Sequence, residues 1–274
     1  MITPGGATVA QPDSFRRIPT LPEARMRARF LAVPVIAVAA LAGGAMVASA
    51  APAGVPSTVL VLTMEPNAPF ALRQGGKLTG LDVQMANAIA DAVGIKNLEW
   101  RPTLFDQIIG KVASGAAPMA ASSITITPAR AKQLIFSNPY LQANLAVVTE
   151  KDSGVAQGGK LANLRVGALK GSTSTTYIAA LPNVTDIAFP TQQASYKALL
   201  RGQIDAVVGD YAQSSWYVQH NANAFSLVAT LPGTGQLAYA FTKTQTALRD
   251  AFNSGLAIIK RNGTYARLVK KWIP

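Results

Sequence analysis

The chain has 274 residues, 49% of them apolar and only 14% charged, with a formal charge of +12, one histidine and no cysteine. Such a composition supports a sizeable core, as one large domain or two smaller ones, and argues against disorder. It excludes disulfides, thiolate metal sites, a catalytic thiol and a lipid-modified cysteine.

The lone His220, in the polar run QHNANA, has no companion for a zinc site or a catalytic pair and reads as a surface residue. No cofactor or metal is expected. Five of the 25 basic residues and two of the 13 acidic ones fall in the first fifty positions, which leaves the remainder at +9. These basics are scattered, with no run longer than Lys260-Arg261 or Lys270-Lys271. A nucleic-acid partner normally calls for a dense basic face with interleaved aromatics, so none is expected.

In chain order, the first feature is an arginine-rich flank (Arg25, Arg27, Arg29) followed by an apolar run from Phe30 to Val47 and the small-residue triplet Ala48-Ser49-Ala50. That order matches an export signal over 1–50 with cleavage after Ala50. An uncleaved anchor is the alternative, since eighteen largely apolar residues approach a spanning length. Pro34, Gly43 and Gly44 would make it a poor helix and favour cleavage. Arg16-Arg17 stands well before the apolar run and lacks the setting of a twin-arginine signal.

Beyond it, STVLVLTM (57–64) reads as a buried strand and GGKLTG (75–80) as a turn. LDVQMANAIADAVG (81–94) places Val83, Ala86, Ile89, Ala90 and Val93 at helical spacing and stops at Gly94. NLEWRP is a strand, FDQIIGKVASG a helix, and APMAASSITI a short strand running into a hydroxyl-rich loop. The pattern then restarts: strand NLAVVTE, polar loop DSGVAQGGK, strand LRVGAL, the loop-to-helix KGSTSTTYIAAL, helix ASYKALLRG, strand QIDAVVGD, helix YAQSSWYVQH and strand QLAYAF. Terminal helices follow; the first carries the stripe Leu248, Phe252, Leu256 and Ile259, with Lys260-Arg261 before an Asn262-Gly263 stop. Strand–helix alternation of this kind implies an α/β fold with parallel sheet, and its repetition implies two lobes with a cleft between them.

Candidate chemistry sits where strands end. Thr127-Pro128 has the form of a helix start, which puts Arg130 in a first turn, electrostatically poor for a cation unless an anion lies in front of it. Ser122, Ser123 and Thr125 lie just upstream, so hydroxyls, free amides and a guanidinium would together receive a carboxylate. Spacing alone leaves a solvated surface arginine equally open. LKGSTSTTY offers a second small-residue loop entering a helix, and Asp210, closing an apolar strand, could receive an ammonium; Asp205 reads as structural.

Five stretches carry a resemblance: GLDVQMANAIA (80–90), SSITITPARAKQLIFSNPY (122–140), VGALKGSTSTTY (166–177), RGQIDAVVGD (201–210) and NGTYARLVKKW (262–272). In that order and spacing, over nearly the whole chain after residue 50, the sequence resembles the extracellular solute-binding proteins of the polar amino-acid group (family 3) of ABC importers. The resemblance implies a two-lobed α/β periplasmic-binding-protein fold. Lobe 1 would span 51–141 and 240–274 and lobe 2 142–239, with hinges at Tyr140–Asn144 and Gln236–Ala240. It implies a periplasmic monomer, not an enzyme, that binds a free amino acid and hands it to integral-membrane ABC permease subunits.

Carried over by position, Arg130 would grip the ligand α-carboxylate with Thr125 and Thr173, and Asp210 would pair the α-ammonium with help from Ser123 and Thr125. Ser122 would line the same wall, Phe105 would stack on the ligand, and Leu169 would face its side chain. The sequence departs from the family at TMEPNAPF, where Met64, Glu65 and Asn67 replace an acid and a covering aromatic, and at Pro118, Leu169 and Gly209. Fewer acids near the side chain favour a neutral ligand, apolar or amide-bearing, unless Glu65 reaches in. Two alternatives are a cyclohexadienyl (prephenate or arogenate) dehydratase-like enzyme on the same fold, with Glu65 or Lys170 as acid or base, and a ligand-sensing accessory protein.

Overall fold

The computed structural model describes residues 52–273, so the expected export signal over 1–50 lies outside the described residues. No helix among the described residues is long and apolar enough to cross a membrane.

The first half is built from β1 (Thr58–Thr63), a hairpin of β2 (Leu72–Gln74) and β3 (Lys77–Thr79), α1 (Leu81–Ala92), β4 (Asn97–Pro102), α2 (Phe105–Ala113), β5 (Met119–Thr125), the single turn α3 (Pro128–Ala131) and β6 (Leu134–Phe136). β1 lies between β4 and β5 and runs parallel to both. Its side chains alternate between two covers, as the two-residue period of a strand requires. Val59 and Val61 enter the core under α1, whereas Leu62 joins Phe105, Ile108 and Val112 of α2. Both faces are covered, which is why this strand reads as a continuous apolar run.

The long strand β7 (Leu141–Glu150) leads into the second half: β8 (Arg165–Leu169), α4 (Thr173–Ala179), β9 (Thr185–Phe189), α5 (Gln192–Leu200), β10 (Ala206–Asp210) and α6 (Tyr211–His220). β8 is parallel to β9 and β10. Val166, Ala168, Ala206 and Val208 pack with Ile178 on one face, while Val207, Tyr196, Leu199 and Phe225 pack on the other.

The chain returns through β11 (Phe225–Thr242) and closes with α7 (Thr246–Arg261) and α8 (Thr264–Trp272). β11 pairs antiparallel with β7 from Phe225 to Leu237 and then with β5 and β6 through Thr242. β7 and β11 thus carry the sheet across both halves, in the order β4-β1-β5-β11-β7-β10-β8-β9 with β6 on β11. The fold is a two-lobed α/β architecture joined by these two strands. α7 lays Leu248, Phe252, Leu256 and Ile259 on the first lobe, crossing α1 so closely that a Cβ at Gly255 would come within 2.8 Å of the Ile89 carbonyl oxygen. It ends where expected: Gly263, at φ 79°, occupies the left-handed conformation that glycine adopts without cost.

Four features differ from the sequence reading. GGKLTG is not a free turn: Gly75-Gly76 joins β2 to β3. QLAYAF is the tail of an 18-residue strand. β6 and β9 were not expected, and the loop DSGVAQGGK includes a short 3-10 turn, Gln157–Gly159.

Candidate ligand cleft

The carboxyl ends of β5 from the first lobe and of the parallel pair β8 and β10 from the second meet at one opening between the lobes, the position where open α/β sheets place their ligands. The opening is lined by Asn67, Phe105, Ser123, Thr125 and Arg130 from the first lobe and by Leu169, Ser172, Thr173, Ser174, Gln192, Gly209, Asp210 and Gln213 from the second. The space between these side chains is narrow, little of it wide enough to pass a water molecule. The lobes are closed on each other.

Arg130 is built as the sequence suggested. The Thr127 hydroxyl caps α3 by accepting from the Arg130 amide at 3.2 Å, with Pro128 in the first helical position. Arg130 is only 8% exposed. It donates to the Thr125 carbonyl at 2.8 Å and, across the cleft, to the Gly171 carbonyl at 3.1 Å, and lies 5.5 Å from the centre of the Phe105 ring. Burial lowers its pKa, and the charge of Asp210 opposes that shift.

Asp210 starts α6 on the facing wall. Burial pushes its carboxyl up to about 7, against the pull of Arg130, and the Asp82 carboxyl adds to the rise. A cation and an anion on opposite walls of a narrow, poorly solvated cleft offer complementary charge to a ligand that carries both signs.

Among the residues expected at the site, Arg130, Asp210, Thr125, Ser123, Phe105, Thr173 and Leu169 line the cleft; Ser122 does not. Ser122 is wholly buried, and its hydroxyl accepts from the Met64 amide at 3.0 Å. The cause is strand alternation: Ser123 and Thr125 face one side of β5, so Ser122, one residue before Ser123, faces the other. Its task is to brace the loop after β1.

The two loop charges weighed as an acid or base are both paired. Glu65 meets Arg73 at 2.7 Å, and Lys170 meets Asp106 across the cleft mouth at 3.0 Å. Asp205 pairs with Arg165 at 2.7 Å, and His220 stacks on Trp216 at the surface.

Asp82, Gln192 and Gln213 escaped the sequence reading. Asp82, fully buried in the first turn of α1, accepts from the Ser123 amide and from the Tyr140 hydroxyl, each at 2.6 Å. It holds Ser123 in a left-handed conformation (φ 45°) at the cleft wall and links that wall to the start of β7. Burial raises its pKa to about 6, although both hydrogen bonds pull the other way. Its only sequence signal was an acid beside the apolar stripe of α1, which also suits an exposed acid at a helix start.

A second chain of bonds crosses the cleft. The Gln213 amide donates to Asn67 Oδ1 at 2.5 Å, and Asn67 Nδ2 donates to the Ser123 hydroxyl at 3.2 Å.

Two α/β lobes on a pair of shared strands, facing each other across a charged cleft, are the architecture of a solute-binding protein. The family profile of bacterial extracellular solute-binding proteins, family 3, matches residues 59–274, and the chain belongs to that family. A probable histidine-binding protein of Campylobacter jejuni is 28% identical over 206 residues, covering 74% of this chain and 80% of the relative. The ABC transporter arginine-binding protein 1 of Escherichia coli is 28% identical over 213 residues, covering 75% and 86%. An ancestral arginine-binding protein bound to arginine superposes with a TM-score of 0.75 at 31% identity, covering 80% of this chain and 99% of its own. One bound to glutamine gives a TM-score of 0.75 at 31% identity, covering 80% and 98%.

Proposed function

We propose that the protein captures one free amino acid outside the cytoplasm and presents it, in the closed form, to the membrane subunits of an ABC permease. The observation that carries this reading is Arg130 facing Asp210 from opposite lobes of one cleft. Arg130 with Thr125 and Thr173 takes the α-carboxylate; Asp210 with Ser123 takes the α-ammonium. A ligand that touches both lobes binds the closed form better than the open one and shifts the population toward it. The moving bodies are 51–141 with 240–274 against 142–239, bending where β7 and β11 cross. The protein acts as an exported periplasmic monomer released from its 1–50 segment, with no cofactor and no nucleic-acid partner.

The relatives' names point to basic ligands, and the cleft of this chain points to a neutral one. Asp210 is the one carboxylate among its described lining residues. If the α-ammonium takes it, nothing negative remains for a guanidinium or imidazolium. Glu65 is held by Arg73 and is not part of that lining.

Thermal unfolding against the twenty amino acids, with prephenate added, tests the reading. A ligand at one hundred times its Kd stabilises by about 2.7 kcal/mol. One or a few neutral amino acids should give that shift and Arg130→Ala should abolish it. A shift with prephenate alone would contradict it.

A further inference from the structure

Gln192 opens α5 and is only 2% exposed; its Nε2 lies beside the Tyr196 hydroxyl but makes no well-formed hydrogen bond among the described residues. A buried amide N–H left unpaired is costly, and such groups are normally satisfied. This one belongs to the cleft lining. What opens it to the cleft is Gly209: a Cβ there would stand 3.0 Å from Nε2 and 3.1 Å from the Ser214 hydroxyl. Ser214 in turn receives the hydroxyl of Tyr196 at 3.3 Å and neighbours Gln213 in the first turn of α6. Gln192, Gln213 and Asn67 therefore gather around the start of α6, at the Asp210 wall. Each is uncharged, and each offers both a donor and an acceptor. Ser172, also without a partner for its hydroxyl, follows Gly171 and belongs to the Arg130 end.

We propose that Gln192, with Asn67 and Gln213, forms a subsite that reads an uncharged, hydrogen-bonding ligand side chain, a carboxamide or ureido group. Its carbonyl oxygen accepts from Gln192 Nε2, and its N–H groups replace one member of the Gln213–Asn67 pair. The inference rests on the amino-acid reading above and narrows it. An apolar side chain would leave the Gln192 donor buried and unpaired. A cationic one would meet that donor with no acid to offset its charge. Sites that hydrogen-bond a ligand group discriminate strongly against analogues lacking it.

Calorimetric titration of the purified protein with glutamine, asparagine, citrulline, methionine, leucine, arginine and histidine tests this. At least one of the first three should bind about tenfold or more tighter than methionine and leucine, and tighter than arginine and histidine. Gln192→Leu should shrink that preference about tenfold while methionine binding holds or improves. Should that variant not fold, Gly209→Ala, which crowds the amide, carries the same expectation. Methionine, leucine or arginine binding tightest, with the binding lost in Arg130→Ala, would overturn the subsite and leave the amino-acid reading standing. Binding of none of the seven in the unmodified protein would overturn both.

Discussion

Arg130 and Asp210 line one narrow cleft from opposite walls, a cation against an anion in a poorly solvated gap. Their partners give the first prediction. Micromolar binding totals about 8 kcal/mol, and removing one side of a buried charged pair costs about 2–5 kcal/mol. Arg130→Ala should therefore weaken amino-acid binding by at least about thirtyfold in calorimetry, and Arg130→Lys should restore only part of it, because an ammonium cannot reproduce the two-pronged grip. Asp210 gives the second. Burial raises its carboxyl to about 7, and an ammonium partner would favour the ionised form. Affinity should fall about tenfold from pH 8 to pH 6, with a proton released on binding at pH 6. The sign for stability is the reverse. Asp82 and Asp210, raised to about 6 and about 7 from 3.8, hold protons more tightly folded than unfolded. Their contribution is fully present below pH 3.8 and is lost as the pH rises through 6 and 7. Asp82, Gln192 and Gln213 were not legible: an acid or an amide on a helix face has the same spacing whether it faces water or a wall, and only tertiary packing decides.

At the level of elements, the strand and helix order was readable wherever apolar periodicity was strong, as in β1, α1 and α7. It was not where the strand is short or half-exposed. β9, with Thr185, Asp186 and Ala188 exposed, carries little apolar signal, and β6 has only three residues. β11 was seen only at its end because Pro232, Gly233 and Gly235 interrupt it, coinciding with a register shift against β7 between Leu231 and Gly235. Two packing predictions belong here. Asp82→Ala would leave the Ser123 amide and Tyr140 hydroxyl unpaired in the core and should destabilise by about 2–6 kcal/mol in urea unfolding, since each orphaned group costs about 1–3 kcal/mol. Gly255→Ala would press α7 against the Ile89 backbone at 2.8 Å and should destabilise by about 1–3 kcal/mol. An unchanged midpoint for Gly255→Ala would mean that the two helices part freely, contrary to the close crossing described.

At the level of the molecule, the two lobes meet through few bonds: Arg130 to Gly171, Lys170 to Asp106, and Gln213 to Asn67. Lys170→Ala should change ligand affinity little, because the ion pair is exposed at its lysine and such pairs contribute about 0–1 kcal/mol. Closure is then set by what the ligand adds between Arg130 and Asp210. The most direct test is calorimetric titration of the tightest-binding amino acid beside two analogues, one lacking the α-amino group and one lacking the α-carboxylate. Each analogue should lose at least about thirtyfold, the equivalent of about 2 kcal/mol for one partner of a buried charged pair, and Arg130→Ala should weaken the amino acid but barely change the analogue without a carboxylate. Equal binding of all three in the unmodified protein would contradict this.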